Sequence, residues 1–339
     1  MGIARTVTVL TSQSPTPLRR LSRPLFLLCL LGVIALTGCA TTPATPTEAL
    51  APIKGAVTLP YVRAEGDQFM VDVEVNGEGP FPFIIDTGAT ATAIYEDLAA
   101  LLGISDGPGR ETLVRGLIQS QTVNMYELDT LSVGDAINAA SPNVIVLPKP
   151  ERSAQAKGII GMDHLINTAL VFDLSTQTVT FVPGKAFTPD SFRGWKEAPI
   201  DALPGASALY GLHFGEIGFD EGPAPALIDT GSEITVLNWQ AAEQMRSVQA
   251  MLAATARKTV VEGVAGQSRP RMALGVEGLK MGQRRWPIHS VLVLTLEPLS
   301  VIGAEDGPFI IVGTDLLAQT SFAIDFHRDM IYFRPPEIP

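Results

Sequence analysis

Cysteine is nearly missing from this 339-residue chain: there are two, Cys29 and Cys39, both close to the amino end. Everything after Cys39 therefore lacks a thiol, which excludes disulfides and cysteine nucleophiles from the body of the protein. Basic residues are also scarce, with 24 Lys and Arg against 35 Asp and Glu and a formal net charge of -11. Four of the arginines (Arg5, Arg19, Arg20, Arg23) fall in the first 38 residues, which hold no acid, so the remainder is near -15. A surface this acidic excludes nucleic acid and anionic lipid faces as electrostatic partners. The four histidines (His164, His213, His289, His327) are scattered without ligand spacing and read as ordinary surface or turn residues. Neither a metal nor another cofactor is expected. The one long apolar run near the amino end, 24–36, is too short for a comfortable membrane span.

That run has a context. Arg19, Arg20 and Arg23 precede it, and Leu36-Thr37-Gly38-Cys39 ends it, the order of an export signal. Leu-Thr-Gly-Cys resembles the bacterial lipobox, which implies cleavage before Cys39 and lipidation of that cysteine. Ala40 after it favours the outer membrane by the sorting rules of Gram-negative bacteria. An uncleaved signal anchor is the competing reading. Residues 1 to about 18 lie far upstream of the signal, as an overextended start would leave them. Residues 39–54, rich in Pro, Thr and Ala, read as an extended tether.

The body of the chain is built from repeats, and 31 glycines and 26 prolines favour turns and strands over long helices. Asp86-Thr87-Gly88 follows Phe-Pro-Phe-Ile-Ile, and Asp229-Thr230-Gly231 follows Ala-Pro-Ala-Leu-Ile. In each, a buried strand delivers a carboxylate and a glycine permits a sharp turn after it. A second repeat matches Gly161 with Gly313, Asp163 with Asp315, Leu165 with Leu317, Thr168 with Thr320, Asp173 with Asp325 and Phe181 with Phe333, always 152 positions apart. The Asp loops are only 143 apart, so about nine extra residues lie in the second half, placed at or near 297–308. The domains follow: a signal peptide over 1–38, a tether over 39–54, a first lobe over 55–184, a linker over 185–203 and a second lobe over 204–339.

Within the first lobe, alternation predicts strands over 57–75, with Phe69, Val71, Val73 and Val75 on one face, and Asn76-Gly77 predicts a hairpin turn. Residues 94–102 are helical by period, with Gly103 as their stop. A hairpin is expected over 112–131 with its tip near Arg115 and Gly116, and a buried strand over 144–147. Residues 184–204 have a linker's composition. The second lobe repeats the plan: a helix near 239–251, a hairpin over about 259–274 with Gly263 at its tip, and 280–283 mirroring 132–135.

Phe-Ile-Ile-Asp-Thr-Gly-Ala and Ala-Leu-Ile-Asp-Thr-Gly-Ser resemble the active-site loops of aspartic peptidases, and the short lobes resemble the retropepsin-like bacterial aspartyl proteases. The resemblance covers roughly residues 57–335. It implies a mostly β fold of two tandem retropepsin-like β-barrel lobes with short helices, a pseudo-dimer in one chain. It further implies that Asp86 and Asp229 are the catalytic pair, since two carboxylates forced together share a proton and can act as base and acid on a water between them. Thr87 and Thr230 would interlock beneath the pair, and Gly88 and Gly231 would supply the turns. Ser232, where the first loop has Ala89, would hydrogen-bond its carboxylate and make Asp229 the more readily ionised partner. Arg115, Gly116 and Gly263 would sit on substrate-covering flaps, for which an ordinary surface hairpin is an equal alternative. Gly161 and Gly313 would cross under the Asp loops. Asp163 and Asp315 read as helix caps, Asp173 and Asp325 as structural, Met162 and Phe172 as core.

The expected activity is endopeptidase cleavage of extended peptide segments, by a monomer whose lipid on Cys39 holds it at the bacterial envelope with its globular part in the periplasm. Two alternatives stay open: a non-catalytic peptide- or protein-binding lipoprotein on the same fold, and a peptidase whose lobes pair between chains.

Overall fold

Asn76 and Gly77 both adopt positive φ (53° and 75°), the conformation a tight two-residue hairpin needs, and they join strand Phe69–Val75 to strand Glu78–Ile85. Phe69, Val71, Val73 and Val75 are all buried, on the face that their alternation predicts. The computed structural model describes residues 53–115, 120–150, 154–206, 211–219, 222–245, 248, 261–263, 266–268, 271–296 and 307–335. The signal peptide, Cys39, nearly all of the tether, Gly116 and most of 297–308 lie outside them.

The fold is mostly β, with two lobes that each wrap a curled sheet around apolar side chains. In the first lobe strand Gly158–Ile160 lies between Glu78–Ile85, to which it is parallel, and Ala93–Tyr95, to which it is antiparallel. The second lobe repeats this: Ile310–Val312 runs parallel to Gly222–Ile228 and antiparallel to Val236–Leu237. These central strands, Gly-Ile-Ile and Ile-Ile-Val, carry no polar side chain and are buried throughout.

A six-stranded sheet joins the lobes, and its order is a palindrome: Val57–Pro60, Thr178–Pro183, Thr168–Asp173, Phe322–Asp325, Met330–Phe333, Lys196–Pro199. At its middle the two repeats pair with each other. Val171 opposes Ala323, its own counterpart 152 residues on, while Leu170 opposes Ile324 and Phe172 opposes Phe322. A pseudo-two-fold axis therefore passes through the Val171–Ala323 pair. Phe69, Phe172 and Phe322 stack around it, with ring centroids 4.5 to 5.8 Å apart, and bind the lobes into one core.

Asp173 closes the turn after its strand by accepting from Ser175 N and Ser175 Oγ, and Asp325 does the same with His327 N and Arg328 N. Both are structural, and Met162 and Phe172 are core, as the sequence suggests.

Two expectations need correction. Residues 184–204 are more than a linker: Lys196–Pro199 is an edge strand of the joining sheet, and buried Phe187 and Phe192 stack 4.9 Å apart beneath it. The helix expected over 94–102 begins at Glu96, because Ile94 and Tyr95 are claimed by the sheet, where they run parallel to Val146 and Leu147. Gly103 does stop it, at φ 65°. In the second lobe the described part of the helix is Trp239–Gln244, capped by the Asn238 side chain on Ala241 N.

Candidate active site

Each Asp loop hangs from the end of a buried strand, and the neighbouring central strand fixes it. Asp86 N donates to Ile160 O (3.0 Å) and Asp229 N to Val312 O (3.1 Å). A few residues on, Met162 N donates to Ala89 O and Thr314 N to Ser232 O, both 2.8 Å, so each loop is tied at both ends. Glycine is required where the strands pass beneath. A Cβ at Gly161 would lie 2.5 Å from the Ala91 carbonyl carbon, and one at Gly313 would lie 2.8 Å from that of Ile234.

The pseudo-two-fold axis brings the loops face to face. Thr87 Oγ1 donates to Ile228 O (2.7 Å) while accepting from Thr230 N (3.1 Å). Thr230 Oγ1 donates to Ile85 O (2.6 Å) while accepting from Thr87 N (3.1 Å). Each hydroxyl thus fills both of its roles across the lobe boundary, shielded from water. This interlock is what the sequence reading expects of the two threonines.

The carboxylates meet just above it. Asp86 Oδ1 accepts from Gly88 N (2.9 Å), and Asp229 Oδ1 accepts from Gly231 N (2.8 Å) and Ser232 N (3.0 Å). The glycines face the opposite acid: a Cβ at Gly88 would lie 2.6 Å from both Asp229 oxygens, and one at Gly231 would collide with the Asp86 carboxylate. Gly231→Ala should therefore lower any hydrolytic activity by about 100-fold, since displacement of a reacting group by about 1 Å costs that much. Steady-state rates beside a circular dichroism check of folding would show it.

Burial raises the pKa of both acids, and for Asp229 the nearby Asp86 charge raises it further, well above the ordinary carboxylate value. Asp229 is only 5% exposed. The pair is therefore built to hold a proton where free aspartates would have lost theirs.

The expected role of the Ser232 hydroxyl is not what the geometry gives. Ser232 Oγ donates to Ile234 O (2.9 Å), and its single proton cannot also serve Asp229. The backbone N–H of Ser232 reaches that carboxylate instead. Asp163 and Asp315 are structural, and neither is the N-cap of its helix, a position that Gly161 and Gly313 hold, although Asp315 Oδ1 accepts from Leu316 N in the first turn (2.9 Å). Asp163 accepts from Thr92 N and Thr92 Oγ1 (2.8 to 3.0 Å), and Asp315 from Thr235 N and Thr235 Oγ1 (2.7 to 2.9 Å). They pin the far side of each Asp loop. Thr92 and Thr235 also receive Gly161 N and Gly313 N, so each loop, its threonine and its glycine strand form one network. Sequence reasoning passed over these threonines, although both lie six residues after their Asp and share its 143-residue offset. His164 and His289 complete the networks at Thr92 (2.9 Å) and Asp315 (2.8 Å). Gln68, whose side chain reaches the carbonyl of Gly231, was also missed.

The first-lobe hairpin is present: Arg110–Arg115 pairs with Ser120–Glu127, and Arg115 is its last paired residue before the tip. Val114, Val123 and Met125 pack against the apolar cluster of Ile84, Ala93 and Ile145, as does Ala89, three residues past Asp86. In the second lobe Gly263 ends strand Val261–Gly263 and opposes Gly266.

Comparison with curated proteins finds no match. Residues 71–164 match a family model described as aspartyl protease, a span that takes in Asp86, Thr87, Gly88, the hairpin and Gly161. The first lobe is thus similar to an aspartyl-protease domain, which supports peptidase-type hydrolysis in general terms, and the internal repeat extends its plan to Asp229.

Proposed function

We propose that this protein is an aspartic endopeptidase that hydrolyses peptide bonds through a water held between Asp86 and Asp229. One observation carries the reading: two carboxylates from separate lobes, Asp229 buried and Asp86 half-buried, each set against the other's glycine above a shared threonine interlock. The ionised acid takes a proton from the water as its oxygen attacks the scissile carbonyl carbon, and the protonated acid donates to the carbonyl oxygen. Collapse of the tetrahedral species breaks the C–N bond, and the nitrogen leaves as an amine after accepting a proton. No covalent enzyme species is needed. The substrate is an extended peptide segment, whose backbone can pair beside the hairpin strands. One chain supplies both acids, so the active unit is a monomer. The lipobox-like Leu36-Thr37-Gly38-Cys39 supports anchorage at the bacterial envelope through Cys39, with the outer membrane favoured and the lobes in the periplasm.

The test is hydrolysis of a mixed peptide library from about pH 4 to 8, where a proton-sharing pair gives a bell-shaped profile. Activity rises as the pair loses its first proton and falls as it loses the last. Because burial and the Asp86 charge lift the last loss, the alkaline limb should lie well above the ordinary carboxylate range. No cleavage at any pH by the folded protein would exclude the peptidase and leave a peptide-binding protein.

A further inference from the structure

We propose that Gln68 is a positioning residue of the second lobe's Asp loop, reaching across from the first lobe to hold the Gly231–Ser232 peptide against Asp229. The inference rests on the reading of Asp86 and Asp229 as the working pair. Gln68 is 7% exposed, and its Nε2 donates to Gly231 O at 2.7 Å. A carbonyl oxygen only accepts, so the amide nitrogen must face it and the flipped orientation is excluded. The peptide whose carbonyl Gln68 holds is the one whose N–H, on Ser232, donates to Asp229 Oδ1 at 3.0 Å. That peptide is planar and trans, so fixing its oxygen on one side fixes its N–H on the other. The two hydrogen bonds lie in series and polarise each other, strengthening the donor to the carboxylate.

The support behind Gln68 is rigid. Ala64 N donates to Gln68 O (2.9 Å) and Asp67 N to Ala64 O (3.0 Å), closing a turn in which Asp67 takes φ 62°. Arg63 braces it, 3.5 Å from Asp67 Oδ1 and 4.6 Å over the Phe69 ring. The turn is seated on the second lobe's loop, for a Cβ at Gly66 would collide with the Glu233 side chain. Gln68 Oε1 is buried and has no hydrogen-bond partner among the described residues. Leucine would fill the space without that cost, so the N–H is what the amide adds here.

The arrangement is one-sided. Met70 opposes Ile84 as Phe214 opposes Leu227, which makes Leu212 the second-lobe counterpart of Gln68, and leucine has no donor. In their backbone the two loops are alike, for Ala89 N lies 3.4 Å from the Asp86 carbonyl oxygen and Ser232 N 3.4 Å from that of Asp229. The structure thus breaks the symmetry of the pair through the cross-lobe support that Gln68 gives the second loop, where the sequence suggested the Ser232 hydroxyl.

The test compares Gln68→Leu and Gln68→Glu with the unmodified full-length chain in detergent solution. Two readouts are needed: carboxyl-carbon NMR titration of the pair, assigned with Asp86→Asn and Asp229→Asn, and the pH profile of peptide hydrolysis. Gln68→Leu should move the first ionisation of the pair, and with it the acid limb, upward by about half a pH unit or more. It should lower kcat about fivefold to tenfold with little change in KM. Gln68→Glu keeps the shape, and so serves if the leucine variant does not fold. Protonated, the introduced carboxyl group would donate to Gly231 O and match the unmodified chain at the acid end; ionised, it would repel that carbonyl and fall behind as pH rises. An unmoved carboxyl titration in Gln68→Leu, or an equal loss in both variants at every pH, would overturn the proposal. Should the unmodified chain cleave nothing, the peptidase reading fails, while the carboxyl titration still decides whether Gln68 acts on the pair.

Discussion

Asp86→Asn and Asp229→Asn should each reduce peptide hydrolysis by about 10²- to 10⁴-fold, the worth of a positioned acid or base in such a reaction. Two features make the expectation strong. The carboxylates come from different lobes yet occupy one site, so neither variant leaves a second, independent centre. Asparagine keeps the shape and can accept from Gly88 N or from Gly231 N and Ser232 N, so the loops need not move. What is lost is the shared proton. Steady-state rates against a peptide library, beside a fold check, would measure it, and residual activity above a tenth in either variant would separate that residue from the chemistry.

The same variants carry an opposite expectation for stability. Burial raises both pKa values over those of the unfolded chain. Between the unfolded and folded values the native state binds more protons than the unfolded state, so stability falls as pH rises through that window. The pair is a liability at neutral pH and harmless in acid. Asp229→Asn, which removes the more strongly raised group, should unfold at a higher temperature than the unmodified protein at pH 7. The difference should shrink below the ordinary carboxylate pKa. Thermal unfolding at pH 7 and at about pH 3.5 would show the crossover, and no gain at neutral pH would mean that the two acids do not strain each other.

The two Asp loops are legible in sequence because strand, acid and glycine lie within a few residues, and because the duplication shows the motif twice at a fixed spacing. The 152-residue repeat is legible too, but that its two copies pair at the lobe boundary, where Val171 meets its own counterpart Ala323, shows only in the fold. Other parts are legible only with tertiary register. Lys196–Pro199 has one fully inward residue, Ala198, and ends in proline, so nothing in its pattern marks a strand, although both features suit a sheet edge. Ile94 and Tyr95 fit a helical period with Leu98, and parallel pairing with Val146 and Leu147 overrides it. Gln68 sits in a short polar turn, and its role depends on a peptide 163 residues away. Thr92 and Thr235 differ, for the repeat offset that found the aspartates contains them too.

Thr230→Val should destabilise the protein by about 2 to 6 kcal/mol, because it leaves two buried backbone groups without partners at about 1 to 3 kcal/mol each. Valine matches threonine in shape, so packing is kept and the loss falls on Ile85 O and Thr87 N, which the hydroxyl serves now. For a protein of this size each kcal/mol lowers the melting temperature by somewhat less than about 2 °C, so a fall of about 3 °C or more is expected. Thr230→Ser keeps the hydroxyl and should recover most of it. Thr87→Val should behave alike, through Ile228 O and Thr230 N. The interlock lies directly below the carboxylates, so activity should fall further than the unfolded fraction explains, while the serine variants keep most of it. Equal melting temperatures for Thr230→Val and the unmodified chain would mean that the lobes are held by the Phe69, Phe172 and Phe322 core and the joining sheet alone. The threonines would then have no part in holding the two acids together.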